Sequence, residues 1–304
     1  MEECDVAIIG GGPAGLSAAL LLGRSLRTVV LIDNDRARNS AAKASHGYMT
    51  RDGVAPGELR RLAREELRQY PTVRLQQGTA KEACSVQGGF VIALSDGRQF
   101  ASRKLVIATG FADHLPPIRG LRETYGSSVF PCPFCDGYER RNESTAVFGR
   151  GHKVYRFTKK LFNWSKDLAV FSDGPSELDQ GEREELIQRG IRLFEEPIEE
   201  LASRDGMLHS VILRGGAVIP RTSGFIADTG ASEASDIPDG LLVARDKTGK
   251  FDTQAHGKTS VDGLYIIGDA KNAFTGLVGA AGEGYEAGTI IVQELAEEDW
   301  ERCR

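Results

Sequence analysis

Apolar residues in this chain come in short runs that end on glycine. "VAIIG" (6–10), "KLVIATG" (104–110), "AVFG" (146–149) and "LYIIG" (264–268) are each rich in β-branched or aromatic residues and too short for helices. Such runs predict buried strands. Between the first two strand patterns, "GPAGLSAALLLGR" (12–24) places alanine and leucine at helical spacing before a second apolar run, "TVVLID" (28–33). Strand, glycine cluster, helix and strand make a β-α-β unit. The same pattern returns about 140 residues later in "STAVFGRGHKVYRFTKKLFNWSKDLAVFSDG" (144–174). "GELRRLAREELRQY" (57–70) and "LVGAAGEGYEAGTIIVQELAEEDW" (277–300) read as amphipathic helices, the second closing the chain.

This periodicity predicts an α/β protein with two Rossmann-like dinucleotide-binding domains. The proline pair in "DHLPPIRGL" (113–121) marks a crossing between them. The first domain is expected to be discontinuous, built from residues 1–113 and 245–304, with residues 114–244 inserted as the second.

The first glycine cluster carries specific chemistry. Gly10, Gly12 and Gly15 stand in G-x-G-x-x-G spacing directly after a strand and before a helix. Gly10 permits the tight turn, Gly12 lets backbone approach a pyrophosphate, and Gly15 lets helix and strand pack closely while the helix N-terminus faces the negative charge. Asp33 ends the second strand 18 residues after Gly15, near the spacing expected of a carboxylate that binds ribose hydroxyls. Pro13, Ala14 and Asn34 complete this candidate dinucleotide site.

The segment "FPCPFCDGYERR" (130–141) holds Cys132 and Cys135 in C-x-x-C spacing. A redox disulfide, half of a zinc site and an inert pair are the readings to weigh. Zinc would need a second cysteine pair, but Cys4, Cys84 and Cys303 stand alone and no histidines have ligand spacing, so no metal is expected. Pro133, Asp136 and Gly137 around the pair predict a turn or helix start, where a thiol pKa falls toward about 7 and redox chemistry becomes feasible.

"GGGPAG", "ATG", "CPFCDG", a second glycine turn and "YIIGDA", in this order over essentially the whole chain, resemble the low-molecular-weight thioredoxin reductases and the related dithiol oxidases of the gliotoxin and holomycin type. The resemblance implies the thioredoxin reductase type of fold, with one dinucleotide domain inserted in the other, and an FAD-dependent dithiol/disulfide oxidoreductase. It further implies FAD held by the first cradle, by Ala108, Thr109 and Gly110, by Gly268 and Asp269, and by Ala280 and Ala281 in a loop that starts the last helix. His46, in "KASHGYMTRDG", lies in a loop that resembles a flavin-side loop of the oxidase-like branch, with a surface or loop-bracing histidine as the other reading. Cys135 would exchange electrons with the flavin, Cys132 with the partner's sulfur, and Asp136 would move the proton. A homodimer is implied, with a thioredoxin-like protein or a small-molecule dithiol or disulfide as partner.

Departures from that family concern the electron source. Gly149 and Gly151 remain in the second cradle, beside His152, but Val154 stands at the third glycine position. After the next strand come Ser172 and Asp173 where NADPH users carry a basic cluster, so the choice between NADH, NADPH and neither stays open. The family's Arg-Gln pair near the flavin is replaced around Gly276 and Leu277. The dithiol oxidases usually carry a histidine beside the cysteine pair, where this chain has Pro131 and Asp136. A dithiol oxidase that passes electrons to oxygen, and a flavin-binding redox sensor without turnover, are therefore the alternatives. Trp164 and Trp300 read as packing residues.

Composition narrows the partners. A net charge of -5 supplies no basic field for nucleic acid, and no apolar run approaches a membrane span. Acids at the N-terminus where a signal peptide needs Lys or Arg, and too few cysteines for a disulfide framework, point to the cytoplasm.

Overall fold

The computed structural model describes residues 1–272 and 274–303. The chain divides into two compact units. One comprises Met1–Ser40, Pro56–Ala112 and Ser232–Arg304; the other comprises Ala41–Ala55 and Asp113–Ala231.

The first unit is built on a seven-stranded sheet. Val73–Gln77, Val29–Asp33, Glu2–Ile9, Gln99–Ile107 and Leu264–Ile266 run parallel in that order, and the antiparallel strands Gly89–Leu94 and Ala80–Val86 also extend from Gln99–Ile107. Register matters more than order. Ile9 pairs with both Ile32 and Ile107, and Ile107 pairs with Ile266, so four strands end at one level. The residues that follow them therefore share one edge: Gly10, Asp33, Ala108 to Gly110, and Gly268 with Asp269. In open α/β sheets the carboxyl edge is where ligands bind.

The closing helix, Gly276–Arg302, runs 27 residues and packs on the first helix, Pro13–Arg24. Residues 280–284 lie inside this helix, as the amphipathic reading of 277–300 expects, and not in the loop that the family resemblance implies for Ala280 and Ala281. The glycines there serve packing. A Cβ on Gly284 would lie 2.1 Å from the carbonyl oxygen of Ala14, and one on Gly288 would meet Leu21.

The second unit holds a parallel sheet in the order Arg192–Phe194, Leu168–Phe171, Thr145–Phe148, Ser223–Ile226, Val129–Phe130, with a helix, Gly151–Leu161, following its glycine turn. A three-stranded antiparallel sheet, Ile198–Arg204, Met207–Leu213 and Val218–Pro220, packs alongside through Leu201, Leu208 and Val211. Residues 232–244 belong to the first unit, because Ser232–Glu233 pairs with Phe111–Ala112 and the following turn buries Ile237 and Leu241 in the first unit's core.

Gly284→Ala should destabilise the protein by about 1–3 kcal/mol, since the methyl group overlaps backbone that cannot swing aside. Thermal unfolding of the variant against wild type checks this; an unchanged Tm would show that the two helices separate freely.

Candidate active site

The first cradle is shaped by atoms that leave no room for side chains. Gly10 has φ +113°, and a Cβ there would lie 2.3 Å from the Ala108 carbonyl oxygen; one on Gly15 would strike the Gly10 carbonyl at 1.9 Å. Gly11, which the motif reading passed over, lies equally tight against the Asp33 carboxylate. Gly12 differs. No atom stands within 4 Å of its missing Cβ, and the helix it begins has no side-chain cap. Backbone N–H groups at that helix start are thus left for an anion.

Around this opening the predicted residues are tied to neighbours. Asp33 accepts from Arg64, and Asn34 Oδ1 accepts from the Arg36 N–H at 3.1 Å to form a tight turn. Gly110 adopts φ +69°, with Asp269 against its open face. Asp269 Oδ1 accepts from the Thr275 N–H at 2.9 Å and from its hydroxyl, which ties Asp269 to the start of the closing helix. Its other oxygen lies 3.4 Å from Arg38. Ala280 is buried and sits against Gly268, while Ala281 follows it within the same helix. Arg38 and Arg64 were invisible to motif reading, because each reaches the site through a long side chain from outside any glycine pattern.

The second unit holds the cysteine pair. Cys132 and Cys135 are joined as a disulfide, with Cα atoms 5.3 Å apart. Cys132 caps the short helical turn Pro133–Asp136, its sulfur accepting from the Cys135 N–H at 3.2 Å. Trp164 supports the turn: a Cβ on Gly137 would reach its ring at 2.9 Å, and the exposed Phe134 meets the ring edge-on at 5.7 Å. Packing is thus the role the structure gives Trp164.

Asp136 is the perturbed group of the site. Burial and the nearby Glu139 push its carboxyl up to about 7, against the opposing pull of His46 and Arg140. A carboxyl with this pKa both takes and gives protons at neutral pH. His46 clusters with the second unit. Its ring lies 3.5 Å from Asp52 and 3.7 Å from Glu139.

The second cradle is closed by its own chain. Gly149 and Gly151 have φ +146° and +62°, as a glycine turn requires, and Val154 is fully buried beneath the turn. The Gly151 N–H donates to the Ser176 carbonyl at 2.7 Å. Arg150 Nε donates to the Ser172 carbonyl at 2.6 Å, and its Nη2 donates to that of Asp173. Asp173 Oδ1 accepts from the Ile198 N–H at 2.7 Å, and His152 pairs with Glu182. Sequence spacing showed no basic residue at this strand end; the fold brings Arg150 there.

Comparison with known proteins agrees with this geometry. Residues 4–284 match the model of the pyridine nucleotide-disulphide oxidoreductases. The chain belongs to that family. It is 32% identical to the structure of a thioredoxin reductase TrxB from Bacillus anthracis described as putative, with TM-score 0.93 over 97% of this chain and 99% of that one. It is 30% identical to HlmI, with TM-score 0.94 over 99% and 95% of the two chains. Thioredoxin reductase sirT of Leptosphaeria maculans is 29% identical over 94% of this chain and 93% of its own length.

The protein is therefore an FAD-dependent disulfide oxidoreductase of the thioredoxin reductase type. The first cradle fits FAD on its own evidence. Gly12 opens onto space at an uncapped helix start suited to a pyrophosphate, and Asp33 stands at the adjacent strand end. Among the described residues no group of His, Cys, Asp and Glu is arranged to hold a metal ion, and no helix is long and apolar enough to cross a membrane.

The raised Asp136 pKa has a stability consequence. Between its ordinary value of 3.8 and about 7, the folded protein holds a proton that the unfolded chain has released, so stability falls as pH rises through that window. Asp136→Asn removes this dependence. The Tm of D136N should therefore gain on wild type between pH 5 and pH 8 in thermal melts; a constant difference would show that the carboxyl is not desolvated.

Proposed function

We propose that the protein exchanges electrons with a thiol partner through Cys132 and Cys135, and that these electrons enter as a dithiol and not from NADPH. The observation that carries this reading is the closed second cradle, whose first helical N–H and whose arginine are both spent on backbone carbonyls.

The chemistry then runs on this chain's own groups. A thiol of the substrate loses its proton to the Asp136 carboxylate and attacks Cys132. The Cys132–Cys135 bond breaks, a bond from the substrate sulfur to Cys132 forms, and Cys135 leaves as a thiolate. The second substrate thiol gives its proton to the Cys135 thiolate and attacks its own mixed disulfide. This closes the substrate disulfide and releases Cys132, which takes the proton back from Asp136. Two electrons have passed to the pair. The residues at the carboxyl edge of the first sheet would hold FAD, which would supply the two-electron couple for reoxidising the cysteines.

A small-molecule dithiol with both sulfurs within reach of one another suits this sequence, because the intramolecular second attack avoids a second encounter. A nicotinamide-fed reductase acting on a thioredoxin-like disulfide is the second reading, and Arg150 favours it, since a cation at this strand end could meet a 2'-phosphate if it left its carbonyls. The family resemblance supports a homodimer, and Val278, Tyr285 and Trp300 stand exposed on the closing helix. Thiol chemistry with the exposed free cysteines Cys84 and Cys303 suits the cytoplasm.

Anaerobic stopped-flow absorbance of the flavin-loaded protein tests the reading. Dithiothreitol should bleach the flavin and oxygen should restore it, whereas NADPH and NADH should leave it yellow. Rapid bleaching by either nicotinamide would overturn the proposed direction. Cys132→Ser and Cys135→Ser should each lower turnover by at least about a thousandfold while flavin stays bound; turnover surviving in both would remove the cysteine pair from the mechanism.

A further inference from the structure

Residues Ala41–Ala55 lie in sequence between two parts of the first unit, yet they cluster with the second. The attachment is tight. Gly126 has φ +78°, and a Cβ on it would come within 2.4 Å of the Ala41 carbonyl oxygen. Within the segment, Ser45 bridges Val54 through an N–H···O bond of 2.7 Å, the Gly53 N–H returns to Ser45 at 2.9 Å, and the Gly47 N–H donates to Asp52 Oδ1 at 2.8 Å. The loop thus closes on itself around His46. Its side chain is one-fifth exposed, with Nδ1 3.5 Å from Asp52 Oδ1 and Nε2 3.7 Å from Glu139 Oε1. Glu139 lies three residues beyond Asp136 in the chain, so the loop delivers an imidazole to the segment that carries the proton-transfer carboxyl.

The mechanism needs Asp136 as a carboxylate at the moment a thiol arrives. Desolvation and the Glu139 charge both work against that form, and the cations His46 and Arg140 work for it. Arg140 is permanently charged and committed. It donates to the Ser127 carbonyl at 2.7 Å, lies 3.4 Å from Glu143 and stacks over the Phe130 ring. Histidine differs in kind, because its charge changes between about pH 5 and 8.

We propose that His46 is a positioning residue for the proton-transfer carboxyl: held between Asp52 and Glu139, its ring engages the Glu139 carboxylate and so limits what that charge does to Asp136 as the thiol arrives. Resting on the dithiol reading above, the inference adds a residue from a distant loop to the proton-transfer group. The charged and titratable groups that act on Asp136 are Glu139 and Arg140 from its own segment and His46 from the loop, with Asp52 beside His46.

The test follows the cysteines and not turnover. The full-length flavin-loaded protein is mixed anaerobically with dithiothreitol at a series of pH values, quenched with an alkylating reagent, and the labelled Cys132 and Cys135 are counted by mass spectrometry. After correction for the dithiol's own ionisation, wild type should inflect near pH 7. His46→Gln should move the inflection upward by about one unit or less, His46→Lys should bring it back by setting a cation beside Glu139, and Glu139→Gln should move it downward. If H46Q keeps the wild-type inflection and exchange is merely slowed equally at every pH, or if H46K fails to restore it, the proposal is overturned. E139Q decides the matter independently should H46Q fold poorly: an unmoved inflection would mean that this cluster does not tune Asp136. Wild type that forms no thiols with dithiothreitol at any pH would bring down the dithiol reading itself, a result distinct from each of these.

Discussion

Parallel pairing at one level is the constraint on which the binding edge of the first unit depends. Ile9, Ile32, Ile107 and Ile266 stand in register, so four separate turns open on the same edge of the sheet. A slip of one residue in any strand would turn its side chains to the opposite face and carry its turn out of line. Gly10 shows how little slack exists, since its missing side chain is the space that the Ala108 carbonyl occupies. Glycines that look like a binding signature are first a condition for the strands to come this close.

The cysteine turn of the second unit depends on burial. The Asp136 carboxyl holds its proton more tightly because water has been taken from it, and removing water from a carboxyl raises its proton affinity whatever the substrate. The surrounding cations return part of that shift. Their balance leaves the group near neutrality, where proton transfer in both directions is fast. Trp164 and Gly137 give the turn a firm base, so the carboxyl and the disulfide keep their relation while sulfur bonds are exchanged.

Much of this was legible in the sequence where backbone geometry dictates residue type. A phosphate cradle demands glycines at set intervals, and a pair of cysteines two residues apart with an acid after them states its chemistry locally. What could not be read lies in contacts between residues far apart in sequence. Arg150 folds onto the carbonyls of Ser172 and Asp173, Arg38 reaches Asp269, and residues 41–55 leave their neighbours in sequence for the second unit. None of these leaves a periodicity. The reading of residues 280–284 as a loop failed for a related reason: closely spaced glycines ordinarily break a helix, but here they let it lie against Ala14 and Ala18 at backbone distance.

The segmental make-up of the first unit bears on how the chain comes to be functional during synthesis. Its sheet lacks the strand Leu264–Ile266, and its first helix lacks the glycine face of Gly276–Arg302, until the closing segment of the chain has been made. The inserted unit is complete by Ala231 and is free to fold while the first still waits for its final segment. The cysteine pair is thus born before the cofactor platform is finished, and a nascent chain passes through a stage in which its thiols are formed but have no flavin to answer to.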